Sequence, residues 1–337
     1  MTARADRAEG ARPAEIAILS YPGAQLAAVH GLTDLFQVAN RLAAARSGGA
    51  GKAPAALRVS HFAPDTIDGP PACTFDTHPE EPHSPVAVIL PPSLEGAPRA
   101  VAAGKSVEWL RSLHGEGTLL CSVCAGAFLL AETGLLDGRA ATTHWNLAEA
   151  FAARFPEVRL DVEKLVIDEG DVITAGGLLA WTDLGLRLVD LLLGPTLMLE
   201  TARILLADPA GREQRFYSRF SPRLRHGDAA ILKAQHWLQK QEGRRVTVPA
   251  MAARAGLTER TFLRRFHRAT GLRPTEYCQR LRVGKAREML EFTGHTLEEI
   301  AWSVGYEDPG SFRQVFHKVM GLSPGEYRRR FGVQAGA

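Results

Sequence analysis

Cys124 stands where an apolar run, Thr118 to Val123, meets Ala125 and Gly126 and passes into helical spacing, in TLLCSVCAGAFLLAETG (118–134). A sharp strand-to-helix turn flanked by small residues is how some hydrolases display a nucleophile. Backbone N–H groups and the dipole at a helix start favour a thiolate there. ATTHW (141–145) then supplies His144, an imidazole of the kind that activates a thiol. These residues leave three roles open for Cys124: working nucleophile, thiol that senses a ligand or oxidant, or small buried hydrophobe.

The other reactive side chains point to less. Cys121 and Cys124 have redox-motif spacing but straddle a strand end, so Cys121 reads as a buried small apolar residue. Cys124, His144 and His30 lack a ligand spacing that would define a metal centre; neither metal nor cofactor is expected. His61, His78 and His83 read as loop or surface histidines. Asp183, in AWTDLGL, falls on an apolar helix, where a satisfied hydrogen bond or a place in a pocket wall is expected. Trp145 and Trp181 suit core or pocket wall. The candidate ligand pocket is therefore Cys124, Ala125, Gly126, His144, Trp145 and Asp183.

Strands alternating with helices must hold these residues. EIAILS (15–20), LRVSHFA (57–63), VAVILPP (86–92) and the run before Cys124 read as strands, and KLVIDEGDVITAGG as two strands about a Glu169-Gly170 turn. Helical spacing runs through AAVHGLTDLFQVANRLAAA, a stretch near 101–114, FAARFP, LLAWTDLGLRLVDLLLG (178–194) and TLMLETARILLA. That alternation predicts an α/β fold with a parallel sheet covered on both faces. DPAGREQRFYSRFSPRLRHGD (208–228), with four Pro or Gly and five arginines, reads as a linker. From Ala229 onward only helices and tight turns are expected.

Charge divides the chain at the same place. Of 40 basic and 37 acidic residues, 24 and 12 fall in 210–337, a net +12; the remaining 16 and 25 give 1–209 a net −9. A basic C-terminal third suits a polyanion, although a basic face can also be merely solvated. No apolar run approaches the ~18–20 residues of a membrane span, and the polar start has no signal core. The chain is expected to be cytoplasmic, with residues 1–13 a disordered lead-in. Four cysteines are too few and too scattered for a disulfide scaffold.

The C-terminal region contains a duplication. Phe262, Phe266, Gly271, Pro274, Glu276 and Tyr277 recur 50 residues on as Phe312, Phe316, Gly321, Pro324, Glu326 and Tyr327. Each copy has a short helix, a Gly-containing turn (Gly256, Gly305) and a second helix, the helix-turn-helix layout. Thr258 and Asp308 are placed to cap the second helices, and Pro309 suits a first helical turn. The paired phenylalanines should face inward, leaving Arg260, Leu263 and Arg264, then Ser311, Arg313, Gln314 and Lys318, outside. Arg can bond guanine and Gln adenine, each with ~1–3 kcal/mol of discrimination, while Leu263 suits a thymine methyl. His267, Arg268 and Lys318 suit phosphates. EYCQRLRVGKAREMLEF (276–292) would space two such helices about one DNA turn, roughly 34 Å, apart.

These stretches carry two resemblances. AARAGLTERTFLRRFHRATGLRPTEYCQRLRVGKAREML and IAWSVGYEDPGSFRQVFHKVMGLSPGEYRRRF resemble the tandem helix-turn-helix domain of the AraC/XylS regulators, over about 229–331. By place in that motif, the implied DNA contacts are Arg260, Thr261, Leu263, Arg264, Ser311, Arg313, Gln314 and Lys318. Gly310 falls where a contacting side chain is expected, which implies fewer bases read by the second helix. YPGAQLAAVHGLTDLF, SVCAGAFLLAETGLLDGRAATTHW and ITAGGLLAWTDLGLRLVDLLLG resemble the PfpI-like branch of the class I glutamine amidotransferase-like superfamily. The pairing is that of GlxA-type regulators, with a PfpI-like domain over 14–207.

The resemblance implies a flavodoxin-like α/β sandwich, with Cys124 at the elbow and His144 beside it. Enzymes of that branch also use an acid near the start of the first helix, and Ala28 stands in that place between Ala27 and Val29. The expectation is a regulator, without catalytic residues, that binds double-stranded promoter DNA and RNA polymerase. It is expected to be an activator and a homodimer and to respond to a small nitrogenous effector such as an amino acid or quaternary amine. A Cys124-dependent amidase or hydrolase, or a thiol redox sensor, is the alternative.

Overall fold

The computed structural model describes residues 12–46, 56–64, 69–97, 104–208, 213–217, 220, 222–224 and 226–333. The chain divides into two compact units, Met1–Gln214 and Arg215–Ala337. The expected lead-in lies outside the described residues apart from Arg12 and Pro13, as do 209–212, 218–219, 221 and 225 of the expected linker.

The first unit begins with β1 (Ala14–Leu19), α1 (Leu26–Arg46), β2 (Leu57–Pro64), β3 (Pro71–Asp76), β4 (Pro85–Leu90) and α2 (Gly104–Gly115). β5 (Leu119–Val123), α3 (Gly126–Ala131), β6 (Ala140–Ala141), α4 (Ala148–Arg154) and β7 (Arg159–Leu160) follow. β8 (Val166–Asp168), β9 (Val172–Ala175), α5 (Trp181–Leu193) and α6 (Pro195–Ile204) complete it. The sheet order is β3-β2-β1-β4-β5-β9-β8. The five inner strands are parallel and the two edges antiparallel. Counted by themselves, the parallel strands run 2-1-3-4-5, the flavodoxin-like order.

All six residues of β1 are buried because both sheet faces are covered. Ala14, Ile16 and Ile18 join the core beneath α1, α5 and α6, while Ala17 and Leu19 join the core beneath α2, α3 and α4. The buried positions of α1, including Val29, Leu32, Phe36 and Ala39, recur at helical spacing. β3 was not among the expected strands. Its middle residues are exposed, so it has no apolar run to mark it.

The second unit contains α7 (Ala229–Lys240), α8 (Val248–Ala255), α9 (Glu259–Thr270), α10 (Pro274–Phe292), α11 (Leu297–Ser303), α12 (Pro309–Met320) and α13 (Pro324–Phe331). The repeat becomes two small cores, one around Phe262, Phe266 and Tyr277, the other around Phe312, Phe316 and Tyr327. All four phenylalanines are fully buried. α10 contributes to both cores, through Tyr277 and Cys278 at its start and Val283, Ala286 and Leu290 farther on. Capping boxes at Thr296/Glu299 and Ser323/Glu326 start α11 and α13 by satisfying N–H groups that the helices leave unbonded.

Candidate functional site

Parallel strands end their carboxyl termini on one edge of a sheet, and an open α/β sheet gathers its ligand there. β5 delivers Cys124 to that edge, where the backbone adopts φ +55°. This left-handed conformation is uncommon for a residue with a Cβ. The Cys124 N–H donates to the Ala175 carbonyl at 2.7 Å, and the Thr143 hydroxyl donates to the Cys124 carbonyl at 2.7 Å. Both bonds hold the turn from β9 and from the loop after β6. Ala125 and Gly126 are buried behind it.

The thiol is only 3% exposed. Burial pushes its pKa up to about 11, although the Ala125 N–H pulls the other way. At pH 7 on the order of one molecule in 10⁴ then carries a thiolate, so the helix start expected to favour ionisation is outweighed by desolvation. The buried Tyr21 phenol is likewise raised, by burial first and by the nearby Cys124 second, and donates to the Pro91 carbonyl at 2.5 Å.

His144 caps the 3-10 turn Trp145–Leu147, its Nδ1 accepting the Asn146 N–H at 3.2 Å. Nδ1 is thus an acceptor and the proton resides on Nε2. Burial lowers the imidazole pKa. Among the described residues no hydrogen bond joins His144 to Cys124. Ala28, in the place of the missing acid, is fully buried. Asp183 is half-buried in the first turn of α5, where a negative charge complements the helix dipole, and accepts from the Thr182 hydroxyl at 3.2 Å. Trp181 lies across Gly31, so close that a Cβ there would be 2.5 Å from the indole. The indole N–H of Trp181 and Oε1 of Gln25, at the start of α1, are buried without a partner among the described residues.

Gln214 carried no signal in the sequence, falling in a stretch without period. Its side chain is buried, with Nε2 donating to the Thr142 hydroxyl (3.0 Å), the Thr143 carbonyl (2.9 Å) and the Lys164 carbonyl (3.0 Å). Its Oε1 accepts the Trp145 N–H at 3.1 Å. The loop that displays His144 and Trp145 therefore grips the last residue of the first unit.

One expected surface histidine is not at the surface. His61 is buried in β2 with Nε2 2.8 Å from the Thr33 hydroxyl, and burial, assisted by nearby His30, lowers its pKa to about 4. A folded pKa below the unfolded ~6.5 gives stability that is complete above pH 6.5 and lost as pH falls toward 4, up to about 3 kcal/mol. Urea unfolding of wild type and His61→Gln at pH 7 and 4.5 should show a markedly shallower loss in the variant. Equal losses would place the acid sensitivity elsewhere.

In the second unit Arg260, Leu263, Arg264, His267 and Arg268 of α9 are exposed, with Thr261 half-buried; on α12 Ser311, Arg313, Gln314, His317 and Lys318 are exposed. Thr258 stands at the N-cap of α9 but makes no capping bond, because its hydroxyl donates to Thr261 at 3.0 Å. Asp308 does cap α12, accepting from the N–H groups of Gly310 and Ser311 and from the Ser311 hydroxyl at 2.7 Å. Arg313 is paired with Glu298 of α11 at 2.9 Å, whereas Arg260 and Arg264 have no ion pair among the described residues. Arg265, the residue after Arg264, is held by both oxygens of Asp228. The two helices thus present similar faces with unequal freedom.

Comparison with known proteins matches residues 70–191 to the DJ-1/PfpI family and residues 251–330 to a helix-turn-helix domain family. The HTH-type transcriptional regulator CdhR of Pseudomonas aeruginosa is 29% identical over 233 residues, 68% of this chain and 69% of that protein. The HTH-type transcriptional regulator GlxA of Rhizobium meliloti is 29% identical over 246 residues, 68% of this chain and 74% of that protein. Neither span fits within the first unit, Met1–Gln214, so both similarities cross into the second. The chain is therefore a DNA-binding transcription regulator in which a DJ-1/PfpI domain precedes an AraC-type helix-turn-helix domain.

Proposed function

We propose that the protein activates transcription in the cytoplasm, as a homodimer that engages RNA polymerase at promoter DNA, when a small nitrogen-containing metabolite binds beside Cys124 and His144. The observation that carries the DNA-reading part is the duplicated exposed face, Arg260, Leu263 and Arg264 on α9 and Ser311, Arg313, Gln314 and Lys318 on α12, each backed by its own phenylalanine core. In a footprint on the DNA upstream of its own coding region, Arg260→Ala and Arg313→Ala should each relax preference at different base pairs, by about 1–3 kcal/mol per lost bidentate contact. Arg313 must exchange Glu298 for DNA, so its effect should be the smaller. No binding by the wild type, or unchanged preference in both variants, overturns the assignment.

The pocket reading rests on neutrality and unmet hydrogen bonds. A protonated thiol, a neutral imidazole and Ala28 in the acid's place support binding without turnover. Gln25 Oε1 accepts and Trp181 Nε1 donates, and both lack partners among the described residues, which suits a polar ligand. A screen of small nitrogen metabolites should find one that raises the melting temperature, since a ligand of the native state alone stabilises it. Gln214 supplies the route onward, because a ligand touching His144 or Trp145 bears on the loop that holds it. Gln214→Ala should keep the ligand's melting shift while losing its effect on DNA affinity; retention of both would exclude that route.

A further inference from the structure

Away from the Cys124 edge, at the antiparallel margin of the sheet, Cys73 Sγ, a carboxylate oxygen of Asp76 and a ring nitrogen of His83 all lie within 4.8 Å of one another. We propose that these three side chains form a binding site for a zinc-class divalent cation, with a fourth position left open to solvent. The site is independent of the DNA and effector assignments.

Backbone register first makes the cluster possible. Residues three apart on a regular strand face opposite sides of a sheet. In β3, Phe62 pairs with Cys73 and His61 with Phe75, so Thr74 is an extra residue. Ser60 pairs with Asp76, which returns Cys73 and Asp76 to one face. Bulges at sheet edges commonly re-aim a side chain in this way. The turn after β3 then brings His83 back onto the same face, its ring 5.0 Å from that of Phe62.

The surroundings are those of a supported ligand set. Metal-bound histidines characteristically donate their other N–H to a carboxylate, which fixes tautomer and ring orientation. Here His83 Nδ1 lies 2.7 Å from Oε1 of Glu15, which is 3% exposed. The Glu15 carboxylate can only accept and is nearer than the donor Arg58 Nη2, at 3.2 Å from the same nitrogen, so Nδ1–H faces Glu15 and the Nε2 lone pair remains. That Nε2 is 3.9 Å from Asp76 Oδ2, close to the ~3.3–3.6 Å separating ligand atoms around a tetrahedral zinc with bonds of about 2.0–2.3 Å. Asp76 is oriented by Arg58, whose Nε reaches Oδ1 at 2.9 Å and whose Nη2 reaches Oδ2.

Charge points the same way. Glu15 and Asp76 bring two negative charges against the single positive charge of buried Arg58. With Cys73 as thiolate the group carries −2, which a divalent cation cancels; binding displaces the thiol proton to solvent. A thiolate, an imidazole and a carboxylate form a borderline donor set that suits zinc rather than magnesium or calcium. Cys73 and His83 are exposed, so an ion reaches the site from water. Once bound, it ties the edge strand to the turn that follows.

The test uses the full chain stripped with chelator and titrated with Zn²⁺ against a chromophoric competitor, then with Co²⁺ to read a thiolate-to-cobalt charge-transfer band. One equivalent is expected, with the band present in wild type and in Cys124→Ser and absent in Cys73→Ser. Glu15→Gln, which keeps the ligands but removes the carboxylate behind His83, should weaken zinc binding about 10–100-fold. Zn²⁺ should also raise the melting temperature of wild type but not of Cys73→Ser. Stoichiometric binding that survives Cys73→Ser, or no stoichiometric binding by wild type, overturns the assignment.

Discussion

Gly126→Ala is expected to destabilise the first unit by about 3 kcal/mol or more, at or beyond the upper end of the usual ~1–3 kcal/mol for overpacking. A Cβ on Gly126 would lie 2.4 Å from the Leu90 carbonyl oxygen and 2.9 Å from that of Pro91. Both obstacles are backbone at the end of β4, so no side-chain rotation relieves them. The strand end must move, and with it the Tyr21 hydroxyl that bonds Pro91. Cys124 already occupies a left-handed conformation two residues earlier, so the turn has little remaining freedom. Denaturant unfolding should show the loss, with Gly104→Ala nearly neutral because among the described residues nothing lies within 4 Å of a Cβ there. A Gly126→Ala protein within about 1 kcal/mol of wild type would show that β4 yields and that the elbow tolerates a side chain.

The second large effect concerns the duplicated domain. Phe316 is fully buried, with ring centroids 5.7 Å from Phe312 and 5.6 Å from Tyr327. Truncation to alanine should cost about 3–5 kcal/mol. The two phenylalanine cores are separate clusters with α10 contributing to both, so the loss should fall first on α11, α12 and α13. Hydrogen exchange should report opening there while α7, α8 and α9 stay protected. A footprint should shorten to the half read by α9. Equal loss of protection in both halves would mean that α10 makes the two cores one cooperative unit.

The two results would draw on information of different origin. The repeat of Phe, Gly, Pro and Tyr at a fixed offset is a local pattern, and both helix-turn-helix units follow it. The α/β alternation was legible for the same reason, since parallel strands buried on both faces appear as unbroken apolar runs. The edge strand β3 was not, because its middle residues are exposed and leave no such run. The elbow at Cys124 could also be located from its small neighbours, Ala125 and Gly126, but its acidity could not. Thiolate stabilisation by a helix start is a local argument, whereas the desolvation that outweighs it depends on every residue packed around the sulfur.

Sequence by itself determined the two domains, the repeat, the exposed arginines and the place of Cys124, because each follows from composition or from periodicity along the chain. Tertiary structure alone decided that His61 is buried, that Gln214 is gripped by the loop carrying His144, that Glu298 holds Arg313, and that a bulge brings Cys73 to Asp76 and His83. Those contacts join residues from 3 to 72 positions apart. Their partners are chosen by strand register and packing, which no local pattern encodes.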